Sequence, residues 1–211
     1  MRKIDKGAEP AALTRARTQV PRRHYTDLEH AERVAIRQAC TAEQMHLCAY
    51  CCAYVSGDRE DTMNEHLMCR DQHPGRSLDF DNIVASCKTP RQCDAAKGNK
   101  PIALTPLMAE CENELVFLVS GRVEGRTPRA VETITTLNLG DHERNNKKLV
   151  EKRKVLSQAL LQREGPLSPL YDDELLQMVI DDLTTPVNGK LEPYAPVVVS
   201  ILKGWLSVAQ P

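Results

Sequence analysis

The 211-residue chain has no excess of charge of either sign: 28 Lys and Arg stand against 29 Asp and Glu, a net charge of -1. That balance excludes a polycationic nucleic-acid binder acting through overall charge, so any basic surface has to be local. Such segments exist in "TRARTQVPRRHY", "SCKTPRQCDAAKGNK" and "RNNKKLVEKRK", while "DDELLQMVIDD" offsets them with acid. Also missing is any apolar run long enough to span a bilayer, and "MRKIDKGAEPAAL" has neither the apolar stretch nor the cleavage site of a secretory signal. The expectation is a cytoplasmic protein with no membrane association. There are no internal repeats or low-complexity tracts. At this length the chain is expected to form one domain, or a small module with an accessory lobe, rather than two unrelated full-sized domains.

What the sequence does have is cysteine, eight in all. In a reducing compartment these argue for metal ligands or buried thiols over disulfides. Cys48 and Cys51, in "LCAYCC", have the C-x2-C spacing that lets two thiolates converge on one zinc from a tight turn. Cys87 and Cys93 follow, completing the four sulfurs of a closed tetrahedral site, although the gap between them is wider than the common two to four residues. A redox role for Cys48 and Cys51 would need a thioredoxin-like βαβ context, and none is visible. Merely buried thiols remain the alternative. Cys40, Cys52, Cys69 and Cys111 read as free, with Cys52 able to substitute in the coordination count.

Around this segment the pattern is more ordinary. Polar residues with Pro10 and Pro21 read as an extended N-terminal arm that orders where it docks. "TDLEHAERVAIRQAC" opens with Thr26 and Glu29 in capping-box spacing and reads as a helix; Thr41 with Gln44 suggests a second, short one. Residues 48 to about 100 break into strand-sized pieces. "ELVFLVSGRVEGR" reads as a hairpin and "TITTLNL" as a possible third strand. "DHERNNKKLVEKRKVLSQALLQRE" is a charged helix with Glu143 and Lys147 at i,i+4. Leu175, Leu176, Val179, Ile180 and Leu183 form one helical stripe, and Tyr194, Val197, Val198, Ile201, Leu202 and Trp205 form another. Core packing is the simplest reading of both.

Between the cysteine pairs lie Glu65 and His66 in "NEHL", Asn82 in "FDNI", and Asp94 with Lys97 in "QCDAAK". On an extended strand Glu65 and His66 point to opposite faces and can serve one atom only where the strand ends. Lys97 follows Asp94 on the same helical face. Singly these residues have bland readings as surface pairs, turn caps or an N-cap.

Taken in order, "EQMHLCAYC", "NEHL", "LDFDNIVASC", "CDAAKG" and "TLNL" resemble the HNH nuclease family, and within it the PtuB-type nucleases of Septu and related retron anti-phage systems. The resemblance, which starts at "MRKIDKG", implies an α+β fold: a ββα-metal (HNH) core pinned by a four-cysteine zinc site, with flanking helices and a small antiparallel hairpin. The implied division is an arm over 1–25, the nuclease core over 26–110, and a hairpin and helical C-terminal lobe over 111–211.

The resemblance assigns roles residue by residue. His66 is the general base toward the attacking water, Asn82 orients it and stiffens the loop, and Glu65 and Asp94 are ligands to a catalytic divalent ion. This matches the chemistry, since phosphodiester cleavage needs a base poised near neutral pH and a hard cation, Mg²⁺ or Mn²⁺, that carboxylates suit. Lys97 is counted with His66 and Asn82 among the catalytic residues and, with the nucleic-acid-binding Lys88, Arg91 and Lys100, is expected to meet flanking phosphates. One departure is Gln92, where related sequences carry a His beside the last cysteine; His73 is a spare candidate. The implied partners are DNA, a PtuA-type ATPase, and in some systems a reverse transcriptase with its retron DNA. The N-terminal arm and the helix around Trp205 are the expected docking surfaces. A zinc-stabilised, inactive HNH-like binding module that docks on a partner and nucleic acid is the second reading.

Overall fold

The computed structural model describes residues 1–19, 23–142, 146–163 and 173–206. Helix α1 (Ala11–Gln19) is followed by α2 (His30–Glu43), which forms where Ile36, Arg37, Cys40 and Thr41 recur at helical spacing and turn inward. α2 begins later than the Thr26 box suggests: Tyr25–Asp27 is a separate 3₁₀ turn, and the capping box is Glu29 with Glu32. Thr41 and Gln44 start no second helix. Thr41 lies inside α2 and Gln44 caps its C-terminus. The Gln44 amide then bonds both backbone groups of Ala85, donating to its carbonyl at 2.8 Å and accepting from its N–H at 2.7 Å.

Ala85 belongs to β2 (Ile83–Cys87), which pairs antiparallel with β1 (Thr62–His66), Thr62 opposite Cys87 and His66 opposite Ile83. β2 is buried along its whole length because its alternating side chains enter two cores. Ile83 and Ala85 join Leu13, Ala16, Leu28, Ile36, Cys40 and Phe80 on the side covered by α1 and α2. Val84 faces the main core, and Cys87, the last residue of the strand, also reaches it. The short helix α3 (Asp94–Lys97) follows.

The N-terminal segment is therefore more than an extended arm. Its middle is helical, and Met1, Ile4, Leu13 and Ala16 are spent inside the molecule. Ile4 N–H bonds the Pro106 carbonyl at 2.7 Å, and the Lys6 ammonium meets the Ile83 carbonyl at 2.8 Å, the ring of Phe80 and the Glu43 carboxylate. That apolar surface is not free to dock a partner.

Beyond α3 lie α4 (Cys111–Glu114) and the expected hairpin, β3 (Leu115–Phe117) with β4 (Val123–Gly125). Gly121 turns it at φ +84°, where a Cβ would strike the Val150 carbonyl. "TITTL" is helix, not strand: it completes α5 (Pro128–Leu137). Thr127 caps its start by accepting from Ala130 N–H, Pro128 fits the first turn, and Asn138 ends it in the left-handed region. Ala130, Thr133, Ile134 and Leu137 then bury one face, so tertiary packing overrides β-branched propensity.

α6 (Lys147–Arg163) carries the charged helix, although Glu143 lies outside the described residues, and with it the expected pair to Lys147. Leu176, Val179 and Ile180 of α7 (Asp173–Thr184) pack on Val198, Val199 and Leu202 of α8 (Ala195–Leu206), while Leu175 faces solvent. Trp205 borders both this cluster and the main core. The fold is α+β with two small antiparallel sheets among the described residues. Apolar packing runs uninterrupted across residue 110, joining Met1, Cys48 and Val84 to Leu115, Ile134, Leu149 and Ile201. No helix among the described residues is long and apolar enough to cross a membrane.

Candidate metal centre and active site

Cys48 and Cys51 sit in a turn closed by Cys48 N–H on the Ala53 carbonyl (2.7 Å) and Cys52 N–H on the Cys48 carbonyl (3.1 Å). Cys87 ends β2, and Cys93 precedes α3 with φ +54°, its N–H bonded to the Leu137 carbonyl at 2.9 Å. The four sulfurs lie within 4.8 Å of one another. The Cys48–Cys93 and Cys51–Cys87 separations are both 3.8 Å. That is far from a disulfide and equals the edge of about 3.8 Å expected of a tetrahedron with Zn–S bonds of about 2.3 Å. Cys87 N–H also points at the Cys48 sulfur, 3.2 Å away.

Electrostatics favour a cation here. Hydrogen bonds from the Cys48, Cys51 and Cys93 sulfurs hold Cys87 well below the ordinary thiol range, whereas burial and the same crowding hold Cys93 well above it. Four thiolates cannot be charged together in a buried site unless a dication compensates them. The set can hold a metal ion and is compatible with structural zinc. Cys52 is not part of it, nor are Cys40, Cys69 and Cys111, all buried free thiols.

The second constellation is built around the end of β1. His66 is 4 % exposed, with Nε2 3.0 Å from the Ser77 carbonyl and the Tyr25 ring edge-on at 4.8 Å. A carbonyl only accepts, so Nε2 carries the proton and Nδ1 keeps its lone pair. Burial, with Arg70 and Lys97 nearby, lowers its pKa to about 4, leaving a neutral imidazole at neutral pH. Among the described residues no hydrogen bond joins Asn82 to His66. Asn82 stiffens the connection between the strands, accepting from Met68 N–H (2.8 Å) and donating to the Met68 and Arg76 carbonyls (both 3.1 Å), next to the Ser77 carbonyl that holds His66.

Glu65, on the opposite face of β1, is 5 % exposed. Its Oε1 accepts from the Tyr50 hydroxyl at 3.0 Å and pairs with the Lys97 ammonium at 2.8 Å. Burial and the neighbouring Asp94 carboxylate outweigh that ammonium and raise its pKa to about 8. Lys97 also donates to the His66 carbonyl (2.9 Å) and is 1 % exposed. It is thus a buried charge partner and reaches no flanking phosphate, which corrects the sequence expectation. Lys88, Arg91 and Lys100 are exposed, as phosphate contacts require.

For a catalytic dication, Glu65 and Asp94 are donors of the right type, and Mg²⁺ commonly takes only one or two carboxylates. No third protein donor joins them: among the described residues the four thiols are the one group of three or more donors close enough to share an ion. Gln92, at the departure position, bonds the Cys87 sulfur (3.7 Å) and accepts from Asn146. His73 caps a 3₁₀ turn. Sequence reasoning missed Tyr50, Tyr25 and Arg70; only Tyr50 left a signal, lying inside the C-x2-C turn. No protein-family model matches the chain, and no curated protein matches it.

Proposed function

We propose that the chain is an HNH-type, metal-dependent endonuclease that cleaves DNA phosphodiester bonds, acting beside a PtuA-type ATPase in anti-phage defence and in some settings beside a reverse transcriptase with its retron DNA. The observation that carries this reading is the neutral imidazole of His66 at the end of a strand, its Nε2 spent on the Ser77 carbonyl, its Nδ1 left with a lone pair, and the Asp94 carboxylate near it. The order β1, β2, α3, with a tetrahedral thiol set at the strand and helix ends, supports it.

In this reading His66 Nδ1 takes the proton of the attacking water, and the Ser77 carbonyl keeps the imidazole oriented and in one tautomer. Asn82 holds the loop that carries Ser77. Glu65 and Asp94 would hold the divalent ion, which when bound neutralises charge on the departing 3′ oxygen. The alternative, a zinc-stabilised binding module without activity, is favoured by the Lys97 ammonium on Glu65, by the burial of His66 and by its pKa of about 4, below the near-neutral value expected of a general base.

The discriminating experiment is plasmid nicking with Mg²⁺ or Mn²⁺, wild type against His66→Ala and His66→Asn, each variant checked for zinc content and folding because His66 is buried. Nicking by the wild type that both folded variants lose is the expected result. Unaltered nicking by either would remove the assignment to this site, and no nicking by any protein would favour the binding module.

A further inference from the structure

A groove of about 480 Å³ runs over the outer face of β1, lined by Tyr25, Arg33, Arg37, Arg59, Arg70 and Lys88 among others. No carboxylate lines it, and among the described residues none of these five cations pairs with an acid. In a chain of net charge -1 this is a concentrated patch. Its members come from α2, the loop before β1, the loop after β1 and the residue after β2, so no single sequence segment announces it.

Three further observations separate it from an ordinary solvated face. Arg37 is only 8 % exposed, its Nε fixed on the Gly57 carbonyl at 2.8 Å, so a buried guanidinium forms part of the wall. Arg33 Nε, a donor on a lining residue, is buried without a hydrogen-bond partner. Such groups cost free energy unless something supplies a partner. Last, the groove leads to His66: Tyr25 lies against that imidazole, and the guanidinium of Arg70 stands 4.9 Å from the Tyr25 ring centroid.

We propose that this groove binds the phosphate backbone of DNA and leads a strand along β1 toward His66. The proposal rests on the nuclease reading for its direction, but not for the binding itself. Five cations with no acid among them suit a chain of several phosphates better than one isolated anion, and guanidinium groups suit phosphate geometry. Arg33, Arg37, Arg59 and Arg70 thereby join Lys88 as contacts that the basic segments of the sequence did not single out.

The test is fluorescence anisotropy of labelled single-stranded and duplex oligonucleotides with the full chain, in buffer without Mg²⁺, Mn²⁺ or chelator. Arg59→Glu/Arg70→Glu, at two exposed positions, is the variant, with circular dichroism and zinc content confirming its fold. Expected are a loss of affinity of about tenfold or more at roughly 50 mM salt, and a salt slope shallower by about two when two phosphate contacts are lost. No binding by the wild type, or equal binding and slope in the folded variant, overturns the proposal. So does equal competition by poly-glutamate, which would make the groove a site for an acidic polypeptide. Cleavage is read separately: loss of binding in the variant with an intact plasmid in the wild type keeps the groove and sinks the nuclease, whereas nicking with unchanged binding sinks the groove alone.

Discussion

The Lys97 ammonium lies 2.8 Å from Glu65 Oε1 with both side chains inside the protein, and the same ammonium reaches back over 31 positions of chain to the His66 carbonyl. Breaking such a pair from one side strands a buried charge, at a cost of about 3–5 kcal/mol. Lys97→Met is therefore expected to destabilise by that order in urea unfolding above pH 8, where Glu65 is ionised, and Glu65→Gln added to it should recover part of the loss. Additive effects in the double-mutant cycle would show that the two groups do not interact.

Stability should also depend on pH in a defined window. Folded Glu65 keeps its proton up to about pH 8, against an ordinary value of 4.5, so its contribution is complete below 4.5 and is lost as pH rises through 8. His66 runs the other way, about 4 folded against 6.5, so its contribution is complete above 6.5 and is lost as pH falls through 4. The two offset each other between 4.5 and 6.5, and a net decline is expected from 6.5 to 8. Melting temperatures across this range would show the decline in the wild type and its absence in Glu65→Gln.

One equivalent of zinc per chain is expected after purification without chelator. Cys48→Ser should lose both the metal and the ordered turn, since structural zinc in small modules contributes about 10–16 kcal/mol. Metal analysis finding no zinc in well-folded wild-type protein would rule out the structural site.

The N-terminal segment should behave as core. Leu13 is fully buried between α1 and α2, so Leu13→Ala is expected to cost about 2–5 kcal/mol, and removal of residues 1–20 more. A deletion with an unchanged melting temperature would mean that the segment does not pack as described.

How much of this was legible in advance follows from the range of the interactions. The cysteine set could be read because ligand spacing is local: a C-x2-C turn presents two sulfurs wherever it occurs, and a second pair completes the tetrahedron. The hairpin at Leu115–Gly125 and the stripes of α7 and α8 were readable for the same reason, their periodicity being written in neighbouring residues. "TITTL" misled because its β-branched residues favour a strand locally, while Thr127, Pro128 and the buried face of α5 decide for helix. The N-terminal segment misled because its polar text hides the few apolar residues that pack.

By itself the sequence determined where a metal could sit and which residue types stand near it. The tertiary structure decided what those residues do. Lys97 became a partner of Glu65 and not of phosphate because folding buries it, and only folding sets Tyr50 against Glu65 and Tyr25 against His66. The basic groove has the same origin: four separate segments, only the one holding Lys88 basic in its neighbourhood, converge on one face of β1. Charges separated along the chain interact through space, and burial sets their strength, so neither quantity can be read from spacing.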